Sequence, residues 1–297
     1  MNQSDSVLHQ TAPPPKQTAG VLGDIFPRDA SLFLKLQRDP GVWVMLIFGL
    51  APIAFNLFFP DGETQALLIS AYFTLAWVAY FYVVVGKRTV NLWLGLGSAL
   101  FMLLVGVPIG RFLHFNVLMP FYEMTNSPSA LVRWAGNVLS HGLNEEAMKA
   151  ISVLLLAFAF RQVKKPIDGI FYGALSGLGF AAWEGHKLIV EAQTPAVMMI
   201  TVAIRSVSNC LLHASYTGIS GYFIAIAALS RRRIALSSLG ILIAILLHGT
   251  FDFHADVSPV ALITAATTYV LCRYLVARSY QMGEELPAAA VAKAAGS

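Results

Sequence analysis

Charge is what this sequence has least of. Lys, Arg, Asp and Glu make up 12% of its 297 residues, about half the share of a soluble domain. With 57% hydrophobic residues and apolar stretches near the length of a bilayer crossing, an ordinary water-soluble globule is excluded. Cysteine is scarce too. Cys210 and Cys272 fall near opposite membrane faces of the expected topology, which argues against a disulfide between them. The first 23 residues ("TAPPPKQ" among them) hold no apolar core, so a disordered tail is expected there and not a signal peptide. There is no internal repeat and no HExxH. The net charge of +4 does not point to nucleic acid, because in such a chain the location of basic residues matters more than their total.

What is present is a series of apolar runs. They predict an all-α polytopic membrane protein of about eight helices, near 42–59, 64–85, 90–109, 137–160, 167–186, 205–229, 234–252 and 259–275. Each can bridge a core of about 30 Å. The run 195–229 is too long for one span, so 195–204 is expected in the interface or a re-entrant turn. Basic loops "GKRT", "RQVKKP" and "SRRRI" alternate with acidic ones, which places both termini in the cytoplasm. Residues 24–40 read as a juxtamembrane amphipathic segment, 41–276 as the membrane domain with its motif core at 137–254, and 277–297 as a second cytoplasmic tail. Residues 111–136 read as a long outer connection.

Ionisable groups inside a span are costly, about 2.5–3.5 kcal/mol each at the bilayer centre. Glu145, Glu146, Lys149, Glu184, His213, His248 and Asp252 survive on four spans. Counted from the cytoplasmic ends, Glu145 lies 16 residues from Arg161, Glu184 18 from Pro166, His213 18 from Arg231 and His248 15 from Arg233. At 1.5 Å per residue all four reach about 22–27 Å above the cytoplasmic boundary. That predicts one polar layer in the outer leaflet. Lys149 is spaced to neutralise Glu145 or Glu146, and Asp252 lies one turn from His248, where it can hold the imidazole. Gly173, Gly177 and Gly179 let the fifth span approach its neighbours closely. For the glutamates alone, a helix N-terminus would be reason enough, since its dipole favours acidic residues.

These residues resemble a family. "EEAMK" (Glu145, Glu146, Lys149), "FAAWE" (Phe180 to Glu184), "LLHASYTGISG" around His213 and "HGTFD" (His248 to Asp252) are similar, in order and spacing, to the four motifs of PrsW-type intramembrane proteases. Those proteases are related to CAAX prenyl-proteases and bacteriocin-processing membrane proteins. Glu184 and Asp252 stand where the prenyl-proteases carry histidine and asparagine, which makes prenylated substrates unexpected. The resemblance implies cleavage of a single-span, membrane-anchored protein such as an anti-sigma factor. It also implies a bacterial inner-membrane location with the site toward the outer face.

Peptide hydrolysis needs an activated water, oxyanion stabilisation and a proton for the leaving amine. Glu145 is the expected base, exchangeable with Glu146. Glu184 shares the water or holds a ligand, and His213 and His248 polarise the carbonyl or protonate the amine, with Asp252 behind His248. Lys149, Phe180, Arg205 and Asn209 are expected in support, Arg205 through a pair with Glu184 or contact with substrate. His141, Asn144 and Tyr216 are expected nearby. The set Glu145, Glu184, His213 and His248 also has the donor types of catalytic zinc, so metal-free and zinc mechanisms both stand at this point. Two other classes use similar residues. A proton-coupled transporter would spread them through the membrane depth, and a non-catalytic scaffold would have lost a motif carboxylate.

Overall fold

The computed structural model describes residues 62–192, 194–230, 233–255 and 259–295, and all regular structure among them is helical. The expected first span at 42–59 and the segments 1–23 and 24–40 lie outside the described residues. Helix α1 is Gly62–Val85. Helix α2, residues 92–124, is built from Leu92–Phe101, Val107–Leu113 and Met119–Met124 joined by π turns Met102–Gly106 and His114–Leu118. Helix α3, residues 130–159, contains Ala130–Asn137, a π turn Val138–Gly142, Leu143–Leu154 and a π turn Leu155–Ala159. Then come α4 Pro166–Val190, α5 Pro195–Leu229, α6 Arg233–Phe253 and α7 Pro259–Ala295.

Five of these are long and apolar enough to cross a membrane: α1, α2 over Leu92–Asn116, α5 over Ile200–Leu229, α6 over Ile234–Phe253 and α7 over Pro259–Gly283. Helices α3 and α4 fall short of that measure, for different reasons. Three ionisable groups in one turn lower the hydropathy of α3. Helix α4 is rich in Gly, Ala and Ser and is buried without a break from Pro166 through Ala181. A helix wrapped in protein faces no lipid and needs no apolar exterior. The most apolar stretches of α1, α2, α6 and α7 are only 28–33% buried, whereas that of α5 is 78% buried. The fold is therefore a core of α4 and α5 inside a ring of lipid-compatible helices.

Two expectations are corrected here. Residues 195–229 form one unbroken helix, not a re-entrant piece and a span. Thr194 caps it, its side chain accepting from Val197 N at 3.2 Å, Pro195 occupies its first turn, and no glycine or proline interrupts it before Gly218. The long outer connection expected at 111–136 is mostly helix: α2 runs to Met124 and α3 begins at Ala130. Five residues join them.

Helices α4 and α5 meet along an antiparallel seam. A Cβ at Gly173 would collide with the Thr217 carbonyl, and one at Gly177 with the His213 carbonyl. The same close approach recurs between α3 and α6, where a Cβ at Gly142 would lie 2.5 Å from the Ile245 carbonyl oxygen and one at Gly249 2.5 Å from Val138 Cα. These two crossings carry the polar residues into one volume. Below them, Ser152 Oγ donates to Ser176 Oγ at 3.1 Å, Ser98 Oγ lies 2.6 Å from Ser152 Oγ, and Ser176 Oγ donates to the Lys149 carbonyl at 2.8 Å. Hydroxyl bonds of this kind tie α2, α3 and α4 together without a net charge.

Candidate active site

The first turn after the π segment of α3 carries Asn144, Glu145 and Glu146. A π turn holds one residue more than an α turn and often marks a functional site; here it lies where Gly142 touches α6. One turn on, Lys149 is fully buried. Its ammonium donates to Glu145 Oε2 at 3.3 Å, to Glu146 Oε1 at 2.7 Å and to His213 Nδ1 at 2.8 Å. An ammonium has three protons, and all three are used. The ring of Phe180 closes over it, 4.3 Å from Nζ to the centroid. The expectation that Lys149 neutralises one carboxylate is thus exceeded: it binds both, and joins α3 to α5.

Because Lys149 donates to Nδ1 of His213, that nitrogen holds the lone pair and Nε2 holds the proton. His213 Nε2 accordingly donates to Glu184 Oε2 at 2.7 Å. On α6, His248 Nδ1 donates to Glu146 Oε1 at 2.9 Å. Its other nitrogen, Nε2, faces Asp252 Oδ2 at 3.3 Å and Glu145 Oε2 at 3.7 Å. Asp252 therefore does meet His248, but Glu146 holds the ring from the opposite side. Glu146 is also bound by Thr217 Oγ1 at 3.1 Å, and with Lys149 and His248 this leaves it fully buried and fully partnered.

Exposure separates the two glutamates. The Glu146 side chain is 0% exposed and that of Glu145 12%, and Glu145 lines a cavity of about 120 Å³ together with Glu184, His141, Asn144, Phe180 and Trp183. Asn144 Nδ2 donates to the Gly110 carbonyl at 3.0 Å and to Tyr122 Oη at 3.2 Å, fastening α2 beside the cavity. A smaller space of about 20 Å³ on the other side is lined by Glu184, Arg205, Asn209, His213, His248 and Asp252. Arg205 and Glu184 share that space without an ion pair between them. Asn209 Nδ2 donates to the Ala181 carbonyl at 3.2 Å and so braces α5 on α4.

Sequence reasoning missed Thr217 and gave no specific task to Tyr216, whose ring stacks on His248 at 4.9 Å with 13° between planes. The signal was present: both lie in "LLHASYTGISG", one turn from His213 on a helix whose face toward α3 was already marked. Tyr122 was read as part of a connection, and nothing in the sequence aimed it at Asn144.

Donor atoms of Glu145, His213 and His248 lie within 4.8 Å of one another. The types fit zinc, which takes imidazole and carboxylate and leaves a position open. His248 fits as well: a carboxylate holds Nδ1, as in metal-bound histidines, while Nε2 faces the carboxylates of Asp252 and Glu145. Both nitrogens of His213 are held, Nδ1 by Lys149 and Nε2 by Glu184, so it would ligate by releasing one of them.

A family model described as PrsW family intramembrane metalloprotease matches residues 87–277. Protease PrsW of Shouchella clausii is 29% identical over 161 residues, which cover 52% of this chain and 71% of that protein. Protease PrsW of Clostridioides difficile is 29% identical over 38% of this chain and 48% of its own length, and that of Bacillus subtilis 27% identical over 39% and 51%. The chain thus spans about half the length of these last two relatives. No solved structure matches the chain.

Proposed function

Because the chain belongs to the PrsW family of intramembrane metalloproteases and is a PrsW-like intramembrane protease, we propose that it hydrolyses a peptide bond in a single-span, membrane-anchored protein with Glu145 as the base. The observation that supports this choice is the division of labour within the glutamate pair. Glu146 is sealed among Lys149, Thr217 and His248, while Glu145 alone reaches the cavity. Glu145 takes a proton from a water shared with Glu184, and the water oxygen bonds to the scissile carbonyl carbon. His213 Nε2–H, on the same side as Glu184, is the donor to the developing oxyanion. His248 Nε2, 3.7 Å from Glu145 Oε2, carries the proton onward to the amine as the C–N bond breaks. Glu146 and Asp252 hold that ring in register and stabilise its charged form.

The Glu145, His213 and His248 cluster favours a second reading. Zinc held by these three residues would supply Lewis acidity and a more acidic bound water. In that case Glu184, 2.7 Å from His213 Nε2, would orient that ring, and Glu146 would orient His248.

The membrane arrangement belongs to the same proposal. Helices α3 and α4 cross the bilayer with the five apolar helices, and the expected span at 42–59, outside the described residues, would make the count eight. The expected tail at 277–297 is taken up by α7, which continues to Ala295. The polar cavity then lies in the outer leaflet of a bacterial inner membrane, and the bilayer itself is the partner of the outer ring. The substrate is of the anti-sigma-factor kind. The test is purified protein with a library of single-span substrates, assayed for cleavage with and without chelator and analysed for bound metal. Cleavage lost in Glu145→Gln and unaffected by chelator supports the glutamate reading. Loss to chelator with recovery on zinc supports the metal reading. Full cleavage by Glu145→Gln removes both.

A further inference from the structure

The catalytic cavity does not end at Glu184. Arg111, His114, Trp183 and Lys187 line both it and a second cavity of about 510 Å³ that continues along the C-terminal end of α4 as far as Val190 and Glu191. The shared wall is cationic. The Arg111 guanidinium lies 6.0 Å and the Lys187 ammonium 5.9 Å from the Trp183 ring centroid. Lys187 has Glu191 at 3.9 Å, and His186, further along the same cavity, has Glu63 at 3.6 Å. Among the described residues Arg111 makes no ion pair. It is exposed, beside a tryptophan face, on the wall that the two cavities share. Two carboxylates at the chemistry and cations at the exit give the cleft a sign change along its length.

Resting on the protease reading, we propose that this cleft binds the substrate's flank and selects for an acidic residue one or two positions from the scissile bond. The range follows from geometry. Lys187 lies three residues beyond Glu184, about 4.5 Å along the helix, and an extended peptide advances about 3.3 Å per residue, so its ammonium is one to two residues along. A carboxylate there pairs with Arg111 and Lys187. A basic residue meets two cations instead, and like charges brought together supply the discrimination.

The test uses full-length protein in phosphatidylcholine vesicles. Single-span reporter peptides carry Ala, Asp or Lys at the three positions on either side of one cleavage site. Cleavage rates are measured for wild type, and binding is measured by fluorescence anisotropy with the inactive Glu145→Gln variant. The expected result is about fivefold higher kcat/KM and tighter binding for Asp over Ala on one flank, with Lys below Ala, as for a partly exposed pair. Arg111→Glu, and more strongly Arg111→Glu with Lys187→Glu, should reverse the order of the Asp and Lys peptides, each compared with the Ala peptide cleaved by the same variant. Equal rates across the three flanks overturn the proposal, as does an Asp preference that persists in the double variant. A dependence on added phosphatidylglycerol that is uniform across flanks also overturns it, since the cations would then be reading lipid headgroups. Flank-selective binding without cleavage of any peptide keeps the cleft assignment and removes the protease reading instead.

Discussion

At Lys149 a single side chain serves three acceptors on two helices, and this makes it the residue whose loss costs most. Lys149→Met keeps the volume but leaves Glu145 and Glu146 adjacent in a buried turn with no cation. Breaking a buried ion pair from one side costs about 3–5 kcal/mol. Thermal unfolding in detergent should fall sharply for this variant, and a midpoint near wild type would show that the carboxylates find another counterion. Glu145→Gln behaves differently. It removes one long 3.3 Å bond from Lys149 and keeps a polar group at the cavity, so its midpoint should stay close to wild type while cleavage disappears. For the His248 and Asp252 pair, Asp252→Asn should reduce turnover by a few orders of magnitude with substrate binding retained, and His248→Ala should cost as much as the double variant. Losses that multiply in the double variant would mean that the two act separately. Asp252 would then be a wall of the smaller space and not the imidazole's partner.

Helices meet here through glycine, and the seam between α4 and α5 decides where His213 and Thr217 stand. Gly173 lies against the Thr217 backbone, so Gly173→Val has no room. Overpacking of this kind costs about 1–3 kcal/mol or more, and here it would lift α5 away from Glu146 and Glu184 together. Gly97, with nothing within 4 Å of a built Cβ, is the control. Gly97→Val should fold and cleave like wild type, whereas Gly173→Val should lose both stability and cleavage. If both variants behave alike, the seam does not position the site. The same reasoning explains why α4, though expected as a span at 167–186, is less apolar than α1: close packing asks for small residues, and small residues score poorly as lipid-facing ones.

Across the whole molecule the open matter is direction. A topology with basic loops inside predicts that a cysteine at Glu191 labels with an impermeant thiol reagent from outside, and that cysteines at Lys87 and Lys165 do not. Cys210 and Cys272 are buried and free, and replacing both leaves a clean background. Outside labelling at Lys165 would invert α3 and α4 and move the catalytic cavity to the other leaflet.

What the sequence determined by itself was the class of molecule and its chemistry-bearing residues. Low charge and repeated apolar runs require a helical membrane protein, since a backbone in lipid must satisfy its own hydrogen bonds. The cost of ionisable groups in such helices singled out Glu145, Glu146, Lys149, Glu184, His213, His248 and Asp252, and the structure brings all seven within one polar cluster. Helical spacing also paired Glu146 with Lys149 and His248 with Asp252, because neighbours three and four apart share a face. Partners across helices were beyond it. That Lys149 reaches His213, that Glu146 and not only Asp252 holds His248, and that Thr217 completes Glu146 depend on which helix faces cross. Those crossings are set by backbone contacts at Gly142, Gly173, Gly177 and Gly249, and a glycine's sequence position does not say which helix will lie against it. The continuous α5 escaped for a related reason: a length rule drawn from bilayer thickness does not bind a helix that protein covers for most of its course.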